Sequence, residues 1–448
     1  MTLERLQTGL MAGIAATCLV SIFAAQLLLA LAAGVYLVRL ATGRARFQRL
    51  PLDAPILAFA VWTLLSASFS PDPVASHEST KKLVLFALLY VAVDSLTPER
   101  ERERVMDAAL LGGLVLGAGA LVQYYLQGFD TLNNRPRSFQ GHYMTASGLA
   151  MCVLILAASR LAFLRGPFPR PSRGDVARLG GLAIALGLLA LLRAEDLFAV
   201  EAERLFVAAL AVAAAWLVSS RGPWPGSSTG PALAALTLVV SGWALVISRT
   251  RNAWLGAVAG LATVILIRAP KALWLIPAGI AAILVLGPSA VVERLTLTDA
   301  ASRDRYYMWQ AGLDMILDKP VFGQGPGMIL AVYPDYRWSE APNPRAPHLH
   351  DNALQIAAER GLPCLIWWVW LLAEAMGSAY RELRRRPDTG AAAGLDPRWG
   401  AVAALATLVA LMVAGLFEYN FGDSEILMFV LLVTALPYAL RRQRAASP

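Results

Sequence analysis

The sequence predicts an all-α, polytopic membrane protein of about 12 (12–14) transmembrane helices with one large, partly helical loop outside the bilayer. Three observations carry that prediction. Only 16% of the 448 residues are charged and 57% are hydrophobic, whereas a soluble domain carries about 25% charged residues. The mean hydropathy is +0.55. The apolar residues come in blocks of about 17–25, the length that takes a helix across a hydrocarbon core.

Taken in order, apolar runs fall near 9–21, 22–39, 54–69, 81–96, 105–126, 143–164, 179–193, 203–219, 231–248, 252–267, 271–287, 361–380, 399–417 and 424–440. The runs at 179–193 and 203–219 are parted by Arg193, Glu195, Asp196, Glu201, Glu203 and Arg204. If that pair is re-entrant or interfacial, about 12 spans remain and the sidedness of the others is unchanged. The first run lacks an Ala-x-Ala-type exit and continues into the second, so no cleavable signal peptide is expected.

Basic residues sort by side. With the N-terminus in the cytoplasm, one set of loops holds Arg39, Arg44, Arg46 and Arg49, then Arg100, Arg102 and Arg104. It goes on to Arg160, Arg165, Arg170, Arg173 and Arg178, then Arg268 and Lys271, then Arg381, Arg384, Arg385 and Arg386, and ends on Arg441, Arg442 and Arg444. The positive-inside bias therefore places both termini in the cytoplasm and the 288–360 loop on the opposite face. The chain divides into N-terminal spans (1–287), that loop (288–360), and C-terminal spans with a tail (361–448). The net charge of +8 reads as cytoplasmic loop arginines, not as a nucleic-acid surface. Cys18, Cys152 and Cys364 all lie in apolar surroundings and read as small buried hydrophobes.

Against that sorting, Arg135, Arg137, Arg249, Arg251, Arg303, Arg305, Arg337 and Arg345 fall on the far side. For Arg303, Arg337 and Arg345, incidental pairing with Asp299, Asp304 or Asp335 is an equal reading. Arg251 is different: it stands at the membrane face with almost no carboxylate nearby in sequence, and a cation at that depth needs an anionic partner.

The 288–360 loop concentrates the polar chemistry. Tyr306, Trp309, Leu313 and Ile316 recur at helical spacing, so Arg303–Lys319 is expected to be an amphipathic helix ended by Pro320. Gly323-Gln324-Gly325-Pro326-Gly327 reads as a tight turn or, less specifically, as a phosphate-binding nest. After the proline-rich Ala341–Pro347, a short helix over 352–360 is expected, capped by Asp351 or Asn352 and stopped by Gly361 and Pro363. His350 then stands at a helix N-terminus, where free N–H groups favour anions. The chain has four histidines, and besides His350 they are His77, His142 and His348. A zinc site of His348, His350 and His142 is the competing reading, but no cysteine joins it and the acids lack ligand spacing, so no metal is expected. No Ser-His-Asp order, P-loop or dinucleotide fingerprint is present.

The order of motifs resembles the O-antigen ligase and polymerase superfamily of the bacterial inner membrane. The matching blocks are Ser248-Arg249-Thr250-Arg251-Asn252-Ala253-Trp254-Leu255-Gly256, then Arg305 with Trp309 and the trailing 318–327 stretch, then His350 with Gly361 eleven residues on. Arg251-x-x-x-Leu255 is similar to the family's Arg-x3-Leu element, and His350 to its His-[Asn/Ser/Gln]-x9-Gly element, although Asp351 replaces the amide or serine. Arg135–His142 loosely resembles a further loop of the family. By order of elements the likeness runs roughly from residue 50 to 430.

The resemblance implies a metal-independent, cofactor-free glycosyltransferase with a periplasmic active site. The donor would be a polysaccharide on undecaprenyl pyrophosphate and the acceptor a sugar hydroxyl of lipid A–core oligosaccharide, both met among membrane lipids. Guanidinium groups suit a diphosphate through planar, bidentate hydrogen bonds. Arg251 and Arg305 are thus expected to stabilise the leaving group, with Arg249, Arg137, His142, Trp309, His348 and Asn352 binding substrate. His350 is the expected base. Direct attack inverts the anomeric centre; a retaining route needs a carboxylate nucleophile, for which Asp351 and Glu418 are poor candidates. An O-antigen polymerase and a protein O-oligosaccharyltransferase are the alternative enzymes. A transporter or flippase is the non-enzymatic alternative, and it predicts charges deep in spans and internal repeats that the sequence does not display.

Overall fold

The computed structural model describes residues 2–165, 229–286, 300–385 and 394–446. The runs expected at 179–193 and 203–219, with Arg170, Arg173, Arg178 and Arg386, lie outside the described residues.

The N-terminal part comprises α1 (Leu3–Thr17), α2 (Ile22–Ala41), α3 (Asp53–Ser68), α4 (Pro73–Ser79), α5 (Ala87–Leu96), α6 (Glu99–Leu126) and α7 (Tyr143–Ala162). Then come α8 (Thr229–Ile247), α9 (Arg251–Arg268) and α10 (Leu275–Leu286). The loop contributes α11 (Ala300–Asp318) and α12 (Ile329–Tyr336), and the chain closes with α13 (Asn352–Arg384), α14 (Trp399–Ala414) and α15 (Ser424–Ala446). The strand pairing described is a two-residue antiparallel contact of Leu164–Arg165 with Gly394–Leu395.

Among the described residues six helices are long and apolar enough to cross a membrane: α2, α6, α7, α8 from Gly230, α13 and α15. Two shorter apolar helices, Asp53–Ser68 and Trp399–Ala414, pack with them. The architecture is all-helical and fits a polytopic membrane protein. The run expected at 81–96 is not one continuous α-helix: Thr80–Phe86 winds as a 3₁₀ segment before α5 begins. Within that segment the Lys82 ammonium reaches across to donate to the Gly422 carbonyl.

Close helix crossings depend on small residues, as expected where lipid removes the hydrophobic drive between helices. Gly256 and Gly260, one turn apart on α9, face the Ala410 and Ala406 carbonyls of α14; a Cβ at Gly256 would stand 2.8 Å from the first and one at Gly260 3.1 Å from the second. That crossing fixes the register of α9. Arg251, five residues before Gly256, is brought level with the C-terminal end of α14, about 7.5 Å farther along the axis at 1.5 Å per residue.

The two ends of the bundle differ in charge. At one, Asp94 takes both Arg39 and Arg442, Asp107 takes Arg160, Glu382 takes Arg444, and Asp396 takes Arg165 and Arg398. At the other stand the start of α9, the end of α14, the start of α15, and the loop segment built from α11 and α12. That segment has its own small core of Met308, Ala311, Met315, Ile329, Tyr333, Leu349 and Ala358. The expected Arg303–Lys319 helix is α11, and it ends ahead of Pro320.

Of the two readings of the glycine run, the tight turn is what forms. Gly323, Gly325 and Gly327 have φ of 67°, 101° and 76°. The N–H groups a nest would offer are engaged: Gln324 donates to the Ala358 carbonyl at 2.8 Å, Gly325 to the Glu359 carbonyl at 2.7 Å, and Gly327 to Glu359 Oε1 at 2.9 Å. The expected stop at Gly361 is a kink: φ 78° and ψ 167° interrupt α13 there. A Cβ at Gly361 would lie 2.0 Å from the Val321 carbonyl oxygen.

Candidate active site

His350 is held in place by its neighbours in sequence. Leu349 is fully buried in the loop core, its N–H donates to Gln355 Oε1 at 2.7 Å, and its carbonyl accepts from Trp309 Nε1 at 3.1 Å. Two residues on, the Asn352 N–H donates to the Gly415 carbonyl at 2.7 Å. Between these anchors His350 adopts φ 53°, a left-handed conformation that costs a non-glycine residue about 1 kcal/mol. Among the described residues the other non-glycine positive φ values belong to Ser138 (52°) and Arg249 (50°). All three lie in the candidate-site loops, where strain held by surrounding structure concentrates.

The partner of His350 is Glu418. Its Oε2 lies 2.9 Å from His350 Nδ1, and its Oε1 lies 3.6 Å from His348 Nδ1 and accepts the Tyr419 N–H at 3.2 Å. The two imidazole rings meet edge to face, 4.2 Å between centroids. Burial alone would raise the Glu418 carboxyl, but the hydrogen bond to His350 and the charges of His350, His348 and Arg305 bring it below the usual carboxylate value. An ionised carboxylate only accepts, so the proton of neutral His350 sits on Nδ1 and the Nε2 lone pair is open. His348 is pushed down to about 4 by burial, with Glu418 opposing and His350, His142 and Arg305 adding. It is therefore neutral at pH 7.

The remaining candidates divide into two groups. Arg305, on the first turns of α11, is within electrostatic reach of Glu418 and His348. His142 caps α7 through an Nδ1 that accepts the Met144 N–H at 3.3 Å. Burial lowers its pKa, with Glu418 opposing and His350, Arg135 and Arg137 adding, so these side chains share one electrostatic neighbourhood. Arg249 is buried against Tyr124, 3.3 Å from its hydroxyl, with its Nε unbonded. The Arg249 carbonyl accepts from Arg135, at 3.5 Å, which ties the 135–142 loop to the start of α9. Arg137 is exposed, and its backbone N–H is fixed by Gln123 Oε1 at 2.8 Å. Arg251 opens α9 at this same end of the bundle.

Two candidates are placed as supports. Trp309 spends its indole N–H on Leu349 and so holds the His348–His350 segment. Asn352 is 2% exposed and uses both ends of its amide, donating to Asn420 Oδ1 at 2.7 Å and accepting from the Phe421 N–H at 3.0 Å. It clamps the Gly415–Gly422 loop that carries Glu418. Asp351 is the N-cap of α13, accepting the Leu354 N–H at 2.7 Å, so its carboxylate is committed to the helix.

Sequence reasoning weighed Glu418 only as a nucleophile. The available signal was a lone acid in Phe417-Glu418-Tyr419-Asn420-Phe421-Gly422, a polar loop between two apolar runs. Gln355 and Gln123, which fix the two loops, were also missed, because neutral amides in helices carry no pattern of their own.

Metal ligation has a geometric case, since one ligand atom each from His348, His350 and Glu418 lie within 4.8 Å of one another. Against it, Arg305 already places a guanidinium charge on this cluster. A divalent cation would have to share Glu418 with that charge as well as with His350 Nδ1.

Residues 236–369 match the family described as O-antigen ligase, a span that holds Arg249, Arg251, Arg305, Trp309, His348, His350 and Asn352. No curated protein gives a significant match to the chain. The motif order and this match agree, and the match over residues 236–369 supports membership of the O-antigen ligase/polymerase superfamily.

Proposed function

We propose that the protein is an O-antigen ligase, transferring O-antigen polysaccharide from undecaprenyl pyrophosphate to a sugar hydroxyl of lipid A–core oligosaccharide. In this reading it is an inner-membrane protein of about 12 spans. The arginine-rich end of the bundle, with both termini, faces the cytoplasm, and the His350 cluster faces the periplasm. The division into spans 1–287, active-site loop 288–360 and spans 361–448 is part of the same proposal.

The observation that carries the reading is the 2.9 Å contact of His350 Nδ1 with Glu418. It leaves Nε2 free as an acceptor, with cationic Arg305 within electrostatic reach of Glu418 and His348. His350 Nε2 takes the proton of the acceptor hydroxyl as that oxygen bonds to C1 of the donor sugar. The C1–O bond to phosphate breaks on the opposite face, and the electron pair leaves with the pyrophosphate, so the anomeric centre inverts. Arg251 and Arg305 stabilise that charge, with Arg249 and Arg137 in support, through hydrogen bonds that strengthen as it develops. Glu418 is a positioning residue: it sets the imidazole tautomer and stabilises the imidazolium. His142 and His348 bind the sugar chain as neutral donors or acceptors. No metal ion or cofactor enters the scheme, because guanidinium groups supply the positive charge to an already activated donor.

The test is to incubate purified protein with lipid-linked glycan and either core lipopolysaccharide or a second lipid-linked repeat. Glycan on the core lipid supports the ligase. Elongated lipid-linked product identifies a polymerase, and no covalent product with either acceptor overturns the reading.

A further inference from the structure

At the end of the bundle away from His350, a cavity of about 710 Å³ opens between the segment after α2 and the last turns of α15. Arg46, Arg49, Arg441 and Arg442 line it together with Gln48 and Tyr438, and among the described residues no carboxylate does. Arg442 is held by Asp94 at 2.9 Å through one nitrogen. Arg46, Arg49 and Arg441 make no ion pair or side-chain hydrogen bond among the described residues.

Elsewhere at this end the pattern is different. A smaller neighbouring cavity of about 220 Å³ contains Glu382 beside its arginines, and Glu382 is paired with Arg444 and Arg385. In the larger cavity three guanidinium groups thus converge without a paired carboxylate among the described residues. Exposed apolar side chains adjoin its lining residues in sequence: Leu37 and Val38 on the last turns of α2, and Phe47 between Arg46 and Gln48, are 63%, 50% and 57% exposed. Phe47 is braced by stacking on Tyr90 at 5.3 Å.

We propose that this cavity binds the phosphate of an anionic phospholipid headgroup, with the acyl chains lying along Leu37, Val38 and Phe47. Guanidinium groups match phosphate oxygens bidentately, and a basic pocket at the head-group level concentrates anionic lipid. The apolar flank distinguishes a lipid from free phosphate. The proposal concerns the opposite end of the molecule and does not depend on the transferase chemistry.

The test uses the full-length protein in neutral detergent, titrated with phosphatidylglycerol, phosphatidylcholine or inorganic phosphate. Bound lipid is read by native mass spectrometry and the unfolding midpoint by a thermal scan. Phosphatidylglycerol is expected to stay bound and raise the midpoint, while phosphatidylcholine and inorganic phosphate do neither. The triple variant Arg46→Gln, Arg49→Gln, Arg441→Gln is expected to bind phosphatidylglycerol about tenfold more weakly or worse. Arg5→Gln, Arg44→Gln, Arg384→Gln removes equal charge at the same end outside the cavity and should leave binding within about twofold. Equal losses in both variants, or equal binding of inorganic phosphate, would overturn the proposal. Should the triple variant fail to fold, the wild-type comparison of the two lipids decides: indifference to headgroup charge sinks it.

Discussion

Across 68 residues of chain, His350 Nδ1 and Glu418 Oε2 approach to 2.9 Å. This contact joins the loop before α13 to the loop between α14 and α15, and in the proposed mechanism it leaves the other imidazole nitrogen to act as the base. Glu418→Gln is expected to lower the rate of glycan transfer by about 10²–10³-fold with little change in KM. Glu418→Asp should restore part of the rate. A variant that loses activity through misfolding would instead lower the yield of folded protein and its unfolding midpoint.

The left-handed backbone at His350 separates stability from activity. His350→Ala keeps the strain and His350→Gly releases it, by about 1 kcal/mol. Both should be inactive, with the glycine variant the more heat-stable of the two in a thermal scan. A glycine variant that is less stable than the alanine variant would show that φ 53° costs nothing here.

Arg251→Ala should insert and fold normally yet lose transfer. Arg251→Lys keeps the charge but not the bidentate geometry, and is expected to be down by about 10–100-fold in kcat/KM. An intact glycan ladder on lipopolysaccharide in cells carrying Arg251→Ala would remove this residue from the mechanism.

Chelation offers a separate check. With Arg305 already on the His348–His350–Glu418 cluster, EDTA should leave the transfer rate of purified enzyme unchanged. Reversible loss of activity, rescued by zinc, would assign the three ligand atoms to a metal instead.

His348 makes stability depend on pH. Its folded pKa is depressed from 6.5 to about 4, chiefly by burial. Between those values the unfolded chain binds the proton and the folded chain does not, so stability falls as pH drops from about 6.5 toward 4. The unfolding midpoint of His348→Gln should be less sensitive over that window than the wild type's.

Much of this protein could be read from residue order alone. Block length and charge sorting marked α2, α6, α7, α13 and α15 as spans, because crossing a bilayer is a constraint each segment meets by itself. Pro320 and Asp351 marked where α11 ends and where α13 is capped, since these are local backbone effects, while Gly361, expected as a stop, kinks a helix that continues to Arg384. His350, Arg251 and Arg305 stood out because cations and imidazoles are scarce against an apolar background. The tertiary structure alone decided which of them share a neighbourhood. The crossing of Gly256 and Gly260 on α14 sets the height of Arg251, the Asn352 clamp brings the Glu418 loop to His350, and the glycine run closes on Glu359 as a turn. Each depends on contacts between segments tens to hundreds of residues apart, where packing and hydrogen bonding select the geometry and no local pattern records it.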